Sequence, residues 1–182
     1  YYILSERKQN KKIDKRAPVI VGVGDLVDRS KEDGLNPQEL LAKACEHAIQ
    51  DSGIKELNKH IDYIGVVRFT VDFLTATNQS NFQYSNFPRT LANKLDISTN
   101  HEVYAPMGGN SPQVLLEDAL VKISAGETDC ALLTGGEALQ TMIAKLKAGM
   151  SLDWLDEPGG SPEMIGNNDI GFSDHELSLI HI

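Results

Sequence analysis

The part of this chain whose residue types best suit chemistry runs from Met107 to Leu139, MGGNSPQVLLEDALVKISAGETDCALLTGGEAL. Gly108 and Gly109 read as a tight turn, and Asn110, Ser111 and Pro112 lead from it into a helix. A strand that turns sharply into a helix gathers free backbone N–H groups and the positive end of the helix dipole at one spot. Such a spot lowers the pKa of a thiol or holds an anionic oxygen. No cysteine stands there, and Ser111 carries the only hydroxyl of residues 107–112. The plainer reading is a glycine pair that lets the chain turn before a helix, and spacing alone favours it.

The remaining reactive groups add little. A serine nucleophile needs a base beside it, and none of His47, His60, His101, His175 and His181 has a spacing that ties it to Ser111. Ser111 is therefore read first as a helix cap. Cys45 and Cys130 show no CxxC or Cys/His metal spacing and sit in the apolar settings LLAKACEHAI and DCALL, which marks them as small packed hydrophobes. Two isolated cysteines form no disulfide framework, so a reducing, cytoplasmic setting is expected. The sequence GVGDLV has Val27 where a dinucleotide fingerprint needs its third glycine, and a charged loop follows instead of a helix. No phosphate-cradling GxxxxGK[ST], HExxH or GxSxG motif occurs, and no metal is expected.

Composition narrows the class further. Seventeen basic against twenty-six acidic residues leave a net charge of −9, which argues against a nucleic-acid partner. No apolar run approaches the ~20 residues that cross a bilayer. Residues 1–16 carry Lys8, Lys11, Lys12, Lys15 and Arg16 and read as a solvated basic arm. Residues 17–150 are expected to form the folded domain and 151–176 a glycine- and proline-punctuated loop region without a core pattern. The apolar end at 177–182 reads as a tail foreign to the fold.

The elements that would position the turn follow from periodicity. APVIVGVGDLV, residues 17–27, is rich in β-branched residues and predicts a buried strand. The next segment predicts a helix with Asn36 as N-cap, Pro37 at its first position, Glu39 closing a capping box and Gly53 as its left-handed stop. Its apolar face is expected to be Leu40, Leu41, Ala44, Ala48 and Ile49. A second strand is predicted over residues 61–69 and a long excursion over 70–85. A helix opened by Pro88 with Leu91, Ala92 and Leu95 inside comes next, and HEVYAP predicts a third strand. The helix after the turn should bury Leu116, Ala119, Leu120 and Ile123 and end at Gly126, before a fourth strand over residues 129–136 and a further helix from EALQTMIAKLKAG. Strands alternating with amphipathic helices define an α/β layered fold around a mostly parallel mixed sheet with helices on both faces.

In order and type these segments resemble the N-terminal half of the thiolase family, the acyl-CoA acyltransferases. Nearest is the thiolase-like group related to sterol-carrier-protein-type thiolases. The opening RAPVIVGVGDLVDRS, the alanine-rich NPQELLAKACEHAIQDSGI, the strand IDYIGVVRF and the segment ALVKISAGETDCALLTGGEAL carry the resemblance. It implies acyl transfer on coenzyme A thioesters in the full-length parent, with coenzyme A thioester as substrate or ligand, a place in lipid metabolism, and a homodimer or related heteromer. It also implies a nucleophilic cysteine at the start of the helix after the turn. Counting back from Ser124, Ala125 and Gly126, that place falls on Gly109. The family's other catalytic groups, a histidine and a second cysteine, belong to its C-terminal half. The resemblance thus makes Gly108, Gly109, Asn110 and Ser111 a substrate-binding turn, with Ser111 a weak catalytic candidate. The alternative it leaves is a catalytically degenerate acyl-CoA-binding or scaffold subunit.

Overall fold

The computed structural model describes residues 15–70, 84–154 and 156–166. Among these, four strands form one sheet in the order β3-β1-β2-β4: β1 is Tyr63–Val67, β2 His101–Ala105, β3 Ala131–Thr134 and β4 Glu163–Met164. Every pairing is parallel, with Tyr63 opposite both His101 and Ala131. The four α-helices are α1 (Pro37–Asp51), α2 (Phe87–Lys94), α3 (Ser111–Ala125) and α4 (Leu139–Lys147). The α/β layered architecture expected from the alternation of patterns is the one observed.

Side chains alternate across the sheet as strand geometry requires. Ile64, Val66, Tyr104 and Leu132 point to one face, where they pack with Leu41 and Cys45 of α1 and with Phe87, Leu91 and Ala92 of α2. Tyr63, Val103 and Ala105 point to the other, against Leu115 and Ala119 of α3. The chain therefore leaves β1 for a helix on one face and β2 for a helix on the opposite face.

Several local signals act as their chemistry dictates. Asn36 accepts from the Glu39 N–H at 2.8 Å while Glu39 accepts from the Asn36 N–H at 3.3 Å, which completes the capping box of α1. Gly53 and Gly126 follow α1 and α3 at φ +66° and +79°, the left-handed conformation that stops a helix without cost to a glycine. Asn86 caps α2 by accepting from the Arg89 N–H, and Leu91, Ala92 and Leu95 are buried, as their spacing predicts.

Other expectations are corrected. Residues 17–27 form no strand: Val19 and Ile20 are 77% and 80% exposed, and the segment lies extended along α1. The reason is close backbone contact. A Cβ on Gly22 would stand 2.2 Å from the Ala48 carbonyl oxygen, and one on Gly24 would stand 2.4 Å from that of Ala44. The Val23 N–H donates to Asp51, and the Asp25 carbonyl meets His47 Nδ1 at 2.8 Å. The two glycines serve this seat on a helix, with Ala44 and Ala48 as its floor, so the core face of α1 turns to Leu41, Ala42 and Cys45. In α3 the core face is Ser111, Leu115 and Ala119, and Leu116, Leu120 and Ile123 are half-buried. The expected loop over 151–176 sends Leu152 and Trp154 into the core, holds the Trp154 carbonyl through Gln38 at 2.9 Å, and adds β4 to the sheet. Most of the excursion expected over 70–85, nearly all of the basic arm, the tail and two histidines, His175 and His181, lie outside the described residues.

Candidate functional site

Parallel strands bring all their C-terminal ends to one edge of the sheet. A crevice opens there wherever neighbouring strands send their connections to opposite faces, and this is where ligands of such sheets bind. Here β1 and β2 are those neighbours. A cavity of about 610 Å³ lies at this edge, in the size range of small-molecule sites. Three strand ends build it: Val67 and Arg68 at the end of β1, Met107, Gly108, Gly109 and Pro112 after β2, and the segment from Leu133 to Glu137 at and beyond the end of β3. Leu115 of α3 contributes to its apolar lining.

The turn that sequence singled out forms the β2 wall. Its shape is set by Gly108, whose carbonyl accepts from the Ser111 N–H at 3.1 Å, and by Asn110, whose carbonyl accepts from Gln113 and Val114 at 3.0 and 3.1 Å. The N–H groups of Gly109 and Asn110 have no acceptor among the described residues, and both residues are exposed at the N-terminus of α3. A Cβ on Gly109 would meet nothing within 4 Å.

The four turn residues divide. Gly108 and Gly109 line the cavity; Asn110 and Ser111 are not part of its lining. Asn110 is the N-cap of α3, without a side-chain hydrogen bond, and Ser111 is the first helical residue and 1% exposed. The cap expected of Ser111 is thus displaced by one position, because Pro112 at the second helical position fixes where the helix begins.

Neither cysteine reaches the cavity. Burial pushes the Cys45 thiol up to about 11 against a partial offset from Thr134, and burial with the Asp62 and Asp129 carboxylates raises that of Cys130. Both are free thiols packed as hydrophobes. His47 is tied to the Asp25 carbonyl, and His101 meets Glu163 at 2.8 Å at the opposite edge of the sheet. No thiol, serine or histidine lines the cavity among the described residues. Nor do those residues hold a group of three or more His, Cys, Asp or Glu placed for a metal ion. No helix among them is long and apolar enough to cross a membrane.

Two charged cavity residues escaped the sequence reading. Arg68 lies with its guanidinium 4.8 Å over the Tyr104 ring. Glu137 follows the Gly135–Gly136 pair, and its Oε1 accepts from both the N–H and the hydroxyl of Thr70, at 2.6 and 2.7 Å. The available signal was position. Arg68 directly follows β1 and Glu137 stands three places after β3, and in a parallel sheet that puts them at one edge.

No family model matches the chain, and no curated protein does. Among solved structures it is similar to the crystal structure of a monomeric SCP2-thiolase-like protein type 1 from Mycobacterium smegmatis, with 31% identity and a TM-score of 0.52. The match covers 68% of this chain and 24% of that one, so the chain spans about a quarter of the length of that protein. The fold is thiolase-like.

Proposed function

We propose that this chain belongs to a thiolase-like acyl-CoA acyltransferase and that the cavity at its strand ends receives the thioester of an acyl-CoA. The observation that carries this is the open N–H of Gly109 on the wall of a cavity lined largely by apolar side chains, with that of Asn110 next to it at the N-terminus of α3. Amides so placed hold the oxygen of a polarised thioester or an enolate. The thiolase-like fold and the similarity to a protein described as SCP2-thiolase-like support the choice of ligand.

A specific observation also favours the second reading, an acyl-CoA-binding or scaffold protein without covalent catalysis. The place of the family's nucleophile is taken by Gly109, and no thiol lines the cavity among the described residues. Titration calorimetry with CoA and acyl-CoA, paired with an acyl-transfer assay on the full-length parent, separates the two. Binding with turnover supports the transferase, and binding alone supports the scaffold. Gly109→Val tests the turn itself. Its side chain enters open space and clashes with nothing, so folding persists while acyl-CoA affinity falls by about tenfold or more. Unchanged affinity in this variant removes the role given to the turn. Association is expected through the thiolase-like fold, although the similar M. smegmatis protein is described as monomeric; sedimentation of the full-length parent decides.

A further inference from the structure

We infer that Glu137 is a general base that removes a proton from the carbon next to the thioester carbonyl, an inference that rests on the acyl-CoA reading above. The geometry has two sides. On one, Thr70 grips a single carboxylate oxygen, Oε1, through two donors, and Oε2 has no partner among the described residues. The carboxylate is thereby held in place at the cavity wall with one oxygen available for chemistry. On the other side stands the open N–H of Gly109, which lines the same cavity, with that of Asn110 beside it in the chain.

The strands that lead to them stand two positions apart in the sheet. Glu137 follows β3 and the turn follows β2, and β1 lies between. Two strand spacings amount to roughly 10 Å. An oxygen bound to an amide, its carbonyl carbon, the adjacent carbon and a carboxylate oxygen in proton-transfer contact span about 9 Å. The two lengths are of one scale, and Gly109 and Glu137 line one cavity, so the thioester is placed across the end of β1 with its oxygen at the turn and its α-carbon toward Glu137. Arg68, also on the wall, adds positive potential where negative charge develops.

The step is balanced within the site. Glu137 takes the α-proton, the C–H electron pair becomes the new C=C bond, and the carbonyl π pair moves to the oxygen held by the turn amides. Return of a proton from the Glu137 carboxylic acid, after that acid has exchanged with solvent, restores the thioester. The observable result is exchange of α-hydrogens with the medium, with no nucleophile and no co-reactant.

The test incubates the full chain with acetyl-CoA and butyryl-CoA in D₂O and follows the α-protons by NMR, while calorimetry measures binding of the same compounds. The wild-type chain exchanges α-protons. Glu137→Gln, which is isosteric and keeps an acceptor for Thr70, still binds acyl-CoA measurably and, at saturation, exchanges its α-protons at least about a hundredfold more slowly. A smaller loss, or acyl-CoA that binds without exchanging, overturns the assignment of Glu137 and leaves the binding reading standing. Absence of binding overturns both.

Discussion

Thr70 and Glu137, 67 residues apart in sequence, are joined by two hydrogen bonds to one carboxylate oxygen. The residues just beyond β1 are thereby fastened to the glycine pair beyond β3. A cavity wall made of loop ends becomes a defined surface, held by two donors that a flexible loop would otherwise leave to water. The same contact leaves the second oxygen of Glu137 without a partner among the described residues.

The empty space at Gly109 makes a direct prediction about thiol chemistry. Gly109→Cys introduces a thiol at the N-terminus of α3, where the helix dipole and free amides favour the thiolate and bring its pKa below the usual value of about 8.5. Iodoacetamide labelling followed by mass spectrometry is expected to modify this thiol at pH 7 at least about tenfold faster than either native cysteine. Cys45, pushed up to about 11 by burial, keeps only about one part in ten thousand of its thiolate at pH 7. Equal labelling of all three would show that the turn exerts no such field.

Glu102 gives the fold an acid-sensitive joint. Burial pushes its carboxyl up, but hydrogen bonds from Arg89, Asn86 and Thr99, with the Arg89 charge, outweigh burial and hold it below its ordinary value. A carboxyl lowered by folding contributes stability that is fully present above the unfolded-state value of about 4.3 and is lost as pH falls through the folded value. Glu102→Gln is expected to cost about 1–2 kcal/mol at pH 7, a figure reduced because Arg89 is partly exposed. Thermal melts of the two chains should differ by several degrees at pH 7, and the gap should narrow progressively as pH falls below the unfolded-state value of about 4.3. A gap that persists undiminished at pH 3 contradicts this account.

The seat of residues 17–27 on α1 is equally testable. Gly22→Ala puts a methyl group against the Ala48 carbonyl, backbone that cannot yield, so the segment lifts from the helix. The expected loss is about 1–3 kcal/mol, and hydrogen exchange should show faster exchange of the Val23 amide, which loses its bond to Asp51. Protection of Val23 equal to that of the wild type would rule this packing out.

Local chemistry made much of the fold legible. Asn36 and Glu39 form a capping box because each side chain needs only the other's backbone N–H, and Pro37 between them suits the first helical position. Gly126 stops α3 for the same local reason. The face of a helix is a different matter. Leu115 and Leu116 are equally apolar, yet Leu115 is 1% exposed and Leu116 half-buried, because the sheet surface selects between neighbours that periodicity cannot rank. Residues 17–27 have strand composition, but two glycines pressed on α1 place them outside the sheet. Leu152 and Trp154 were hidden among prolines and glycines, with no period to reveal them.

The sequence by itself determined the alternation of strands and helices, the glycine turn before α3 and the lack of a cysteine in it, since each is set by neighbours along the chain. Only the tertiary structure decided that Arg68, Gly109 and Glu137 share one cavity. Residues far apart in sequence meet there because parallel strands end side by side, and the order β3-β1-β2-β4 rests on side-chain packing between layers that no local pattern records.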